Sequence, residues 1–203
     1  MKGRQTILRM GELALVGALV AGYLSDQRAM GAPQSLTVRA AAAAEAARMV
    51  RVIDADTYVM QSGATTYRLR LLGVDAPEQD QTFGPQATDS VARLLPAGRV
   101  VLMLVERAGL DRYGRTLGAV LLPVATVTIA GRPVPLDSLL VVRGWAWACD
   151  PDCKVAGRAQ QQVAAQRAGR GLWKCGVSQA VSPQQWRSFN SEIKRRYRVG
   201  CTW

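Results

Sequence analysis

Three short stretches of this chain carry residues whose types and spacing could do chemistry. The first is Asp54-Ala55-Asp56-Thr57, the second runs from Arg70 to Glu78, and the third is Asp111-Arg112-Tyr113-Gly114-Arg115. Each has an ordinary explanation when taken alone: a polar turn, a solvated loop, and a hairpin with a surface ion pair. Together they form a kit for work on a phosphodiester, which needs an oriented water, a proton acceptor and charge neutralisation at the phosphate. Asp56 and Asp75, both at strand ends, could supply a hard cation such as Ca²⁺ with oxygen ligands. Glu78 is the candidate general base. Arg70 and Arg115 are candidate phosphate clamps, because a guanidinium fork donates two hydrogen bonds at once. Tyr113 could stack on a base or bond a phosphate oxygen, with Arg112 beside it, although core packing at a hairpin end serves Tyr113 equally well. The chain has no histidine, so a histidine-based triad is excluded and acid–base work falls to other groups.

The elements that must position these groups follow from periodicity and punctuation. Ala40 to Ala47 reads as a linker or short helix, and Met49 to Asp54 and Thr57 to Gln61 as strands. Ser62-Gly63 signals a hairpin, and Thr65 to Leu72 returns with apolar and β-branched residues at period two. Gly73 breaks that strand, and Pro77 stiffens the turn that carries Asp75 and Glu78. Gly84-Pro85 opens a helix closed by Pro96 and Gly98. Strands are expected over Arg99 to Arg107 and Thr116 to Leu122, with a small extra hairpin from Val124 to Ile129 and Gly131-Arg132-Pro133. Leu136 to Arg143 has a helical pattern that stops at Gly144, and Arg158 to Arg170 is a second helix of that kind. Strands grouped in this way predict an α+β domain, a small antiparallel barrel with helices packed outside it.

Composition sets the setting. The 203 residues carry 26 Lys+Arg against 15 Asp+Glu, a net charge of +11. Such a field attracts polyanions, with nucleic acid or an anionic membrane surface as the alternatives. Residues 1–40 hold five basic and two acidic residues and account for +3, leaving +8 on the remainder. Within them the apolar run Leu13 to Leu24 is too short to span a bilayer, which takes roughly 20 residues. It matches the apolar core of an export signal, and an uncleaved N-terminal anchor or a leader without structure are the alternatives. Residues 1–40 are therefore set apart from a domain over 45–174 and a basic extension over 175–203. Cys149, Cys153, Cys175 and Cys201 fit two disulfides of an exported protein, with three pairings open. A four-thiolate zinc site is the rival reading, and reduced core thiols are expected if the chain stays in the cytosol. The extension interleaves basic residues with Trp186, Phe189, Tyr197 and Trp203, as a nucleic-acid surface does. An amphipathic helix over Pro183 to Arg196 that caps the barrel explains the same pattern, and the structural role is favoured.

Val52 to Thr57, Arg70 to Glu78 and Asp111 to Arg115 together resemble the three signature blocks of the staphylococcal nuclease (thermonuclease) family. The resemblance runs from about Met49 to Trp173 and includes Arg143-Gly144-Trp145-Ala146. It implies a five-stranded OB-fold β-barrel with about three packed helices, and Ca²⁺-dependent cleavage of DNA and RNA to products with 3′-phosphates. It further implies metal binding by Asp56, Asp75 and the Ala76 carbonyl, activation of water by Glu78, and phosphate binding by Arg70 and Arg115. The leader points to export to the periplasm or the medium, with membrane attachment through the N-terminus as a variant, and a monomer without a stable protein partner is expected. The chain departs from the family pattern at Ala76, often Thr, and at Ala55, usually Gly. The loop Gln79 to Phe83 is shorter than in the founding enzyme and lacks its lysines. A tyrosine expected beyond Gly144-Trp145 has no counterpart in Cys149 to Cys153. A barrel that only binds nucleic acid is the second reading, although such copies usually lose the arginines or the glutamate kept here. A membrane-surface protein is the third, and rests on charge and leader alone.

Overall fold

A computed structural model of the chain describes residues 44–122, 134–148 and 155–198. The expected leader, the extra hairpin at 124–133, and Cys149, Cys153 and Cys201 lie outside the described residues. Strand β1 (Ala44–Asp54) pairs antiparallel with β2 (Thr57–Ser62), which turns at Gly63 into β3 (Thr65–Leu71). On its other edge β1 pairs with β5 (Val100–Leu110), which returns as β6 (Thr116–Leu122). Pairing of β3 with β6, Leu69 opposite Thr116 and Leu71 opposite Gly118, closes the five strands into a barrel. This closing seam is parallel. The reason is geometric: an odd number of strands in a ring, otherwise antiparallel to their neighbours, leaves one pair running the same way.

Strand β1 begins at Ala44, which corrects the linker or helix expected over Ala40 to Ala47. Ala47 and Met49 are buried with Arg48 exposed between them, and both edges of the strand are paired. Two ladders and an inward-facing alternation outweigh alanine's helix preference. Short strands sit around the barrel: β4 (Val74–Asp75) pairs with β8 (Trp147–Ala148), and β7 (Val134–Pro135) extends β6.

Three helices pack against the barrel or one another: α1 (Gly84–Leu94), α2 (Leu136–Arg143) and α3 (Arg158–Arg167). The extension adds α4 (Pro183–Ser188) and α5 (Ser191–Tyr197). The single helix expected over Pro183 to Arg196 is broken at Phe189 and Asn190. The Asn190 side chain accepts the backbone N–H groups of Glu192 and Ile193 and so starts a new helix. Trp186 of α4 is 1% exposed, so the extension is folded onto the domain by an apolar anchor.

One buried ion pair braces the helices behind the site. Arg158 Nε lies 2.6 Å from Asp137 Oδ2, joining α3 to the first turn of α2, and Asp137 borders Gly73 at the end of β3. Removing one member of a buried pair strands the other charge, at a cost of about 3–5 kcal/mol. Asp137→Ala is therefore expected to lower the unfolding free energy by about that amount, measured by urea denaturation.

Candidate active site

Asp56 is set by the turn between β1 and β2. Its backbone N–H donates to Asp54 Oδ1 at 3.0 Å, so Asp54 shapes the turn and Asp56 is the residue presented. The Asp56 carboxylate is nearly closed off from water, at 5% exposure. Thr57 Oγ1 donates to its Oδ1 at 2.9 Å, and the Ala76 N–H donates to its Oδ2 at 2.6 Å. These bonds join the first motif to the second across the barrel rim. Burial pushes the Asp56 carboxyl up to about 7, against the opposing pull of Arg70.

Arg70 faces Thr57 across the β2–β3 ladder and forks between two carboxylates. Its Nη1 lies 3.0 Å from Asp56 Oδ2 and its Nη2 lies 3.1 Å from Asp75 Oδ1. Asp75 is held in place by the pairing of β4 with β8. Its carboxyl is also raised, first by burial and then by the charge of Asp56. Arg70 thus bridges two carboxylates, Asp56 buried and Asp75 half-buried, whose closeness works against both being ionised.

Glu78 follows Pro77, and its side chain, 37% exposed, is the most open of the three carboxylates. Its loop is fixed from below. Gln81 N–H and Gly84 N–H form successive turns onto Glu78 O and Gln81 O, at 2.9 and 3.0 Å. The Glu78 N–H donates to Gln81 Oε1. At Gly84 a Cβ would stand 1.9 Å from the Glu78 carbonyl oxygen, so only glycine lets α1 begin directly under the glutamate. Gly84→Ala is expected to cost about 1–3 kcal/mol of stability. It should also lower turnover more than substrate affinity, because it displaces Glu78; thermal unfolding and steady-state kinetics read the two effects.

The third motif stands at the β5–β6 turn. Asp111 Oδ1 accepts the backbone N–H groups of Tyr113 and Arg115, and Asp111 Oδ2 lies 2.7 Å from Arg115 Nε. The Arg112 and Arg115 guanidiniums sit 4.8 and 5.2 Å from the centroid of the exposed Tyr113 ring. Tyr113 is therefore an exposed platform and takes no part in the core. Arg115 precedes Thr116, the residue paired with Leu69, which places this turn beside the strand that carries Arg70. Ion pairs unite Asp56, Arg70 and Asp75, and Arg187 links Asp75 to Glu78, while Arg115 is tied to its own turn.

Two neighbours of the site do not follow from the sequence. Arg187, from α4, places Nη1 2.5 Å from Glu78 Oε1 and Nη2 3.2 Å from Asp75 Oδ2. Asp80 accepts from Trp186 Nε1 at 2.8 Å and from Lys194 Nζ at 3.1 Å, joining the extension to the loop after Glu78. Basic and aromatic interleaving after residue 176 is the one signal in the sequence, and it carries no information about where those residues fold.

The donor set fits a hard divalent cation, since Asp56, buried, and Asp75, half-buried, offer carboxylate oxygens of raised pKa that a cation would stabilise in the ionised form. Among the described residues no group of three or more His, Cys, Asp or Glu forms a metal cluster. The remaining ligands would be backbone carbonyls and water, as hard cations accept.

A closed five-stranded barrel that gathers two aspartates, an arginine and a glutamate at one rim is an OB-fold of the nuclease type. The family described as staphylococcal nuclease homologue matches residues 68–175. Protein ParB of Escherichia coli is 34% identical over 168 residues, covering 79% of this chain and 89% of ParB. A micrococcal nuclease of Shigella flexneri is 33% identical over 167 residues, with 81% and 93% covered. A thermonuclease of Staphylococcus hyicus is 37% identical over 79 residues, 36% of this chain and 46% of that enzyme. The chain belongs to the staphylococcal nuclease family.

Proposed function

We propose that the protein is a hydrolytic nuclease that cleaves phosphodiester bonds of DNA and RNA to products with 3′-phosphates, and that it depends on calcium. The observation that carries this reading is the ion-pair chain from Asp56 through Arg70, Asp75 and Arg187 to Glu78. It is supported by membership of the family and by the relatives named micrococcal nuclease and thermonuclease.

In this scheme Glu78, open to solvent beside the buried acids, takes a proton from the attacking water. The new bond forms from water oxygen to phosphorus, the bond from phosphorus to the 5′-oxygen breaks, and that oxygen leaves as a hydroxyl with a proton from solvent, so the phosphate stays on the 3′ side. Arg70 and Arg115 neutralise the charge that builds on the phosphoryl oxygens. Asp56 and Asp75, with the Ala76 carbonyl, would hold calcium, which supplies further positive charge at the phosphate. Tyr113, an exposed ring flanked by Arg112 and Arg115, offers a stacking surface for a base. Cys175 is not a free thiol, which supports disulfide pairing and an exported protein, read as a monomer.

The binding-only alternative has less support, because Arg70, Glu78 and Arg115 are all retained. Incubating the purified protein with supercoiled plasmid and with RNA separates the two. Strand scission, with 3′-phosphate ends that block polymerase extension until phosphatase treatment, supports the nuclease. Retention of both nucleic acids on the protein without scission would replace it with the binding module.

A further inference from the structure

Arg187 lies beyond residues 68–175, the part of the chain that matches the family. It nonetheless reaches two of the three carboxylates of the site. Its Nη1 and Nη2 bond Glu78 Oε1 and Asp75 Oδ2 respectively. The side chain is 53% exposed, whereas Arg70 is 15% exposed and enclosed between its aspartates.

The backbone that delivers Arg187 is fixed. Ser182 and Gln185 form a reciprocal capping box that starts α4. Trp186, the residue before Arg187, is buried and donates to Asp80 Oδ1. Gln81 Nε2 donates to Val181 O at 2.6 Å, and Thr82 Oγ1 donates to Tyr197 O at 3.0 Å. Lys194 and Arg198 hold the other Asp80 oxygen and lie over the Trp186 ring. These contacts bind the extension to residues 80–82, directly after Glu78. The anchoring therefore sets where Arg187 starts, and its exposed guanidinium keeps the freedom to change partners.

We propose that Arg187 is a substrate-binding residue of the nuclease site, delivered by the C-terminal extension, whose guanidinium transfers from Glu78 and Asp75 to a backbone phosphate of bound nucleic acid. The inference rests on the nuclease reading for the identity of the site. A phosphate placed for attack by water at Glu78 lies within reach of a guanidinium already bonded to Glu78. Exposed ion pairs are weak and exchange readily, and the planar fork fits phosphate as well as it fits carboxylate. Transfer to the phosphate also frees Glu78 to accept a proton.

The test compares the full chain with Arg187→Gln, Arg187→Lys and Arg196→Gln. Arg196 pairs with Glu192 on its own helix and serves as a charge-matched control away from the site. Binding of a labelled single-stranded oligonucleotide in chelator is followed by fluorescence anisotropy over a salt series, and KM and kcat are measured with calcium. Removal of one phosphate contact should lower the slope of log Kd against log salt by about 0.7 for Arg187→Gln. Arg187→Lys should keep most of the slope, and Arg196→Gln all of it. KM should rise several-fold for Arg187→Gln. An unchanged slope, an equal change in Arg196→Gln, or a higher kcat with unchanged KM would overturn the proposal, the last by making Arg187 an inhibitory plug. Absence of cleavage by the parent would refute the nuclease reading. The salt slope would then still decide whether Arg187 contacts phosphate.

Discussion

Replacing Glu78 with glutamine is expected to lower kcat by about 10²–10⁴-fold, the range that a positioned general base contributes. KM should change little, because the substitution keeps the size of the side chain and the phosphate is held by arginines. Stability should also be nearly unchanged. The substitution breaks a partly exposed ion pair with Arg187, and such pairs contribute about 0–1 kcal/mol. The combination separates a catalytic defect from a folding defect. With no histidine in the chain, Glu78 is the open carboxylate beside the buried acids, and no imidazole can stand in for it. A Glu78→Gln protein as fast as the parent would remove the base from the mechanism. Single-turnover rates at saturating enzyme give the cleanest reading of the chemical step.

Asp56→Asn carries the second large effect, and its sign depends on pH. Burial raises the Asp56 carboxyl from 3.8 to about 7, so folding favours its protonated form. The stability this group contributes is complete below the unfolded value and is lost as pH rises through about 7. The metal-free parent should therefore lose stability relative to Asp56→Asn between these limits, since asparagine stays neutral throughout. Calcium reverses the comparison. Its binding requires the carboxylate and releases the proton, so the calcium-induced rise in Tm of the parent should grow with pH up to about 7 and then level off. Loss of outer-sphere partners alone costs about 10–100-fold in metal affinity. Loss of a ligand should raise the calcium concentration for half-maximal activity by at least that factor. Thermal melts of both proteins at pH 5 and pH 8, with calcium or with chelator, check each part.

Much of the barrel was legible because its signals are local. Strand β6 (Thr116–Leu122) and helix α2 (Leu136–Arg143) fall where period and punctuation place them. Gly144, at φ 66, ends α2 as a glycine in left-handed geometry should. The start of β1 was not legible, since an alanine-rich run encodes a strand only through the ladders on both its edges. The parallel seam is a property of five strands in a ring and of no residue in particular.

The site divides in the same way. Asp56, Arg70, Asp75 and Glu78 were legible as residue types at turns, and the ion pairs bring them together. The role of Asp54 as a turn acceptor was not read from the sequence; the hydrogen bond from Asp56 N–H shows it. Arg187 and Glu78 stand 109 positions apart, and nothing in the spacing of either predicts that they meet. Their pairing depends on Trp186 finding the core and Asp80 finding the Trp186 ring nitrogen.

The proposed activity is cleavage of nucleic acid at this rim, with calcium held by Asp56 and Asp75. Its most direct test is cleavage of plasmid DNA and of RNA by the purified protein in calcium, in magnesium and in excess chelator, with calcium restored afterwards. Cleavage of both substrates in calcium, loss of activity in chelator, and recovery when calcium is returned are expected. Cleavage at an undiminished rate in chelator would contradict the proposal.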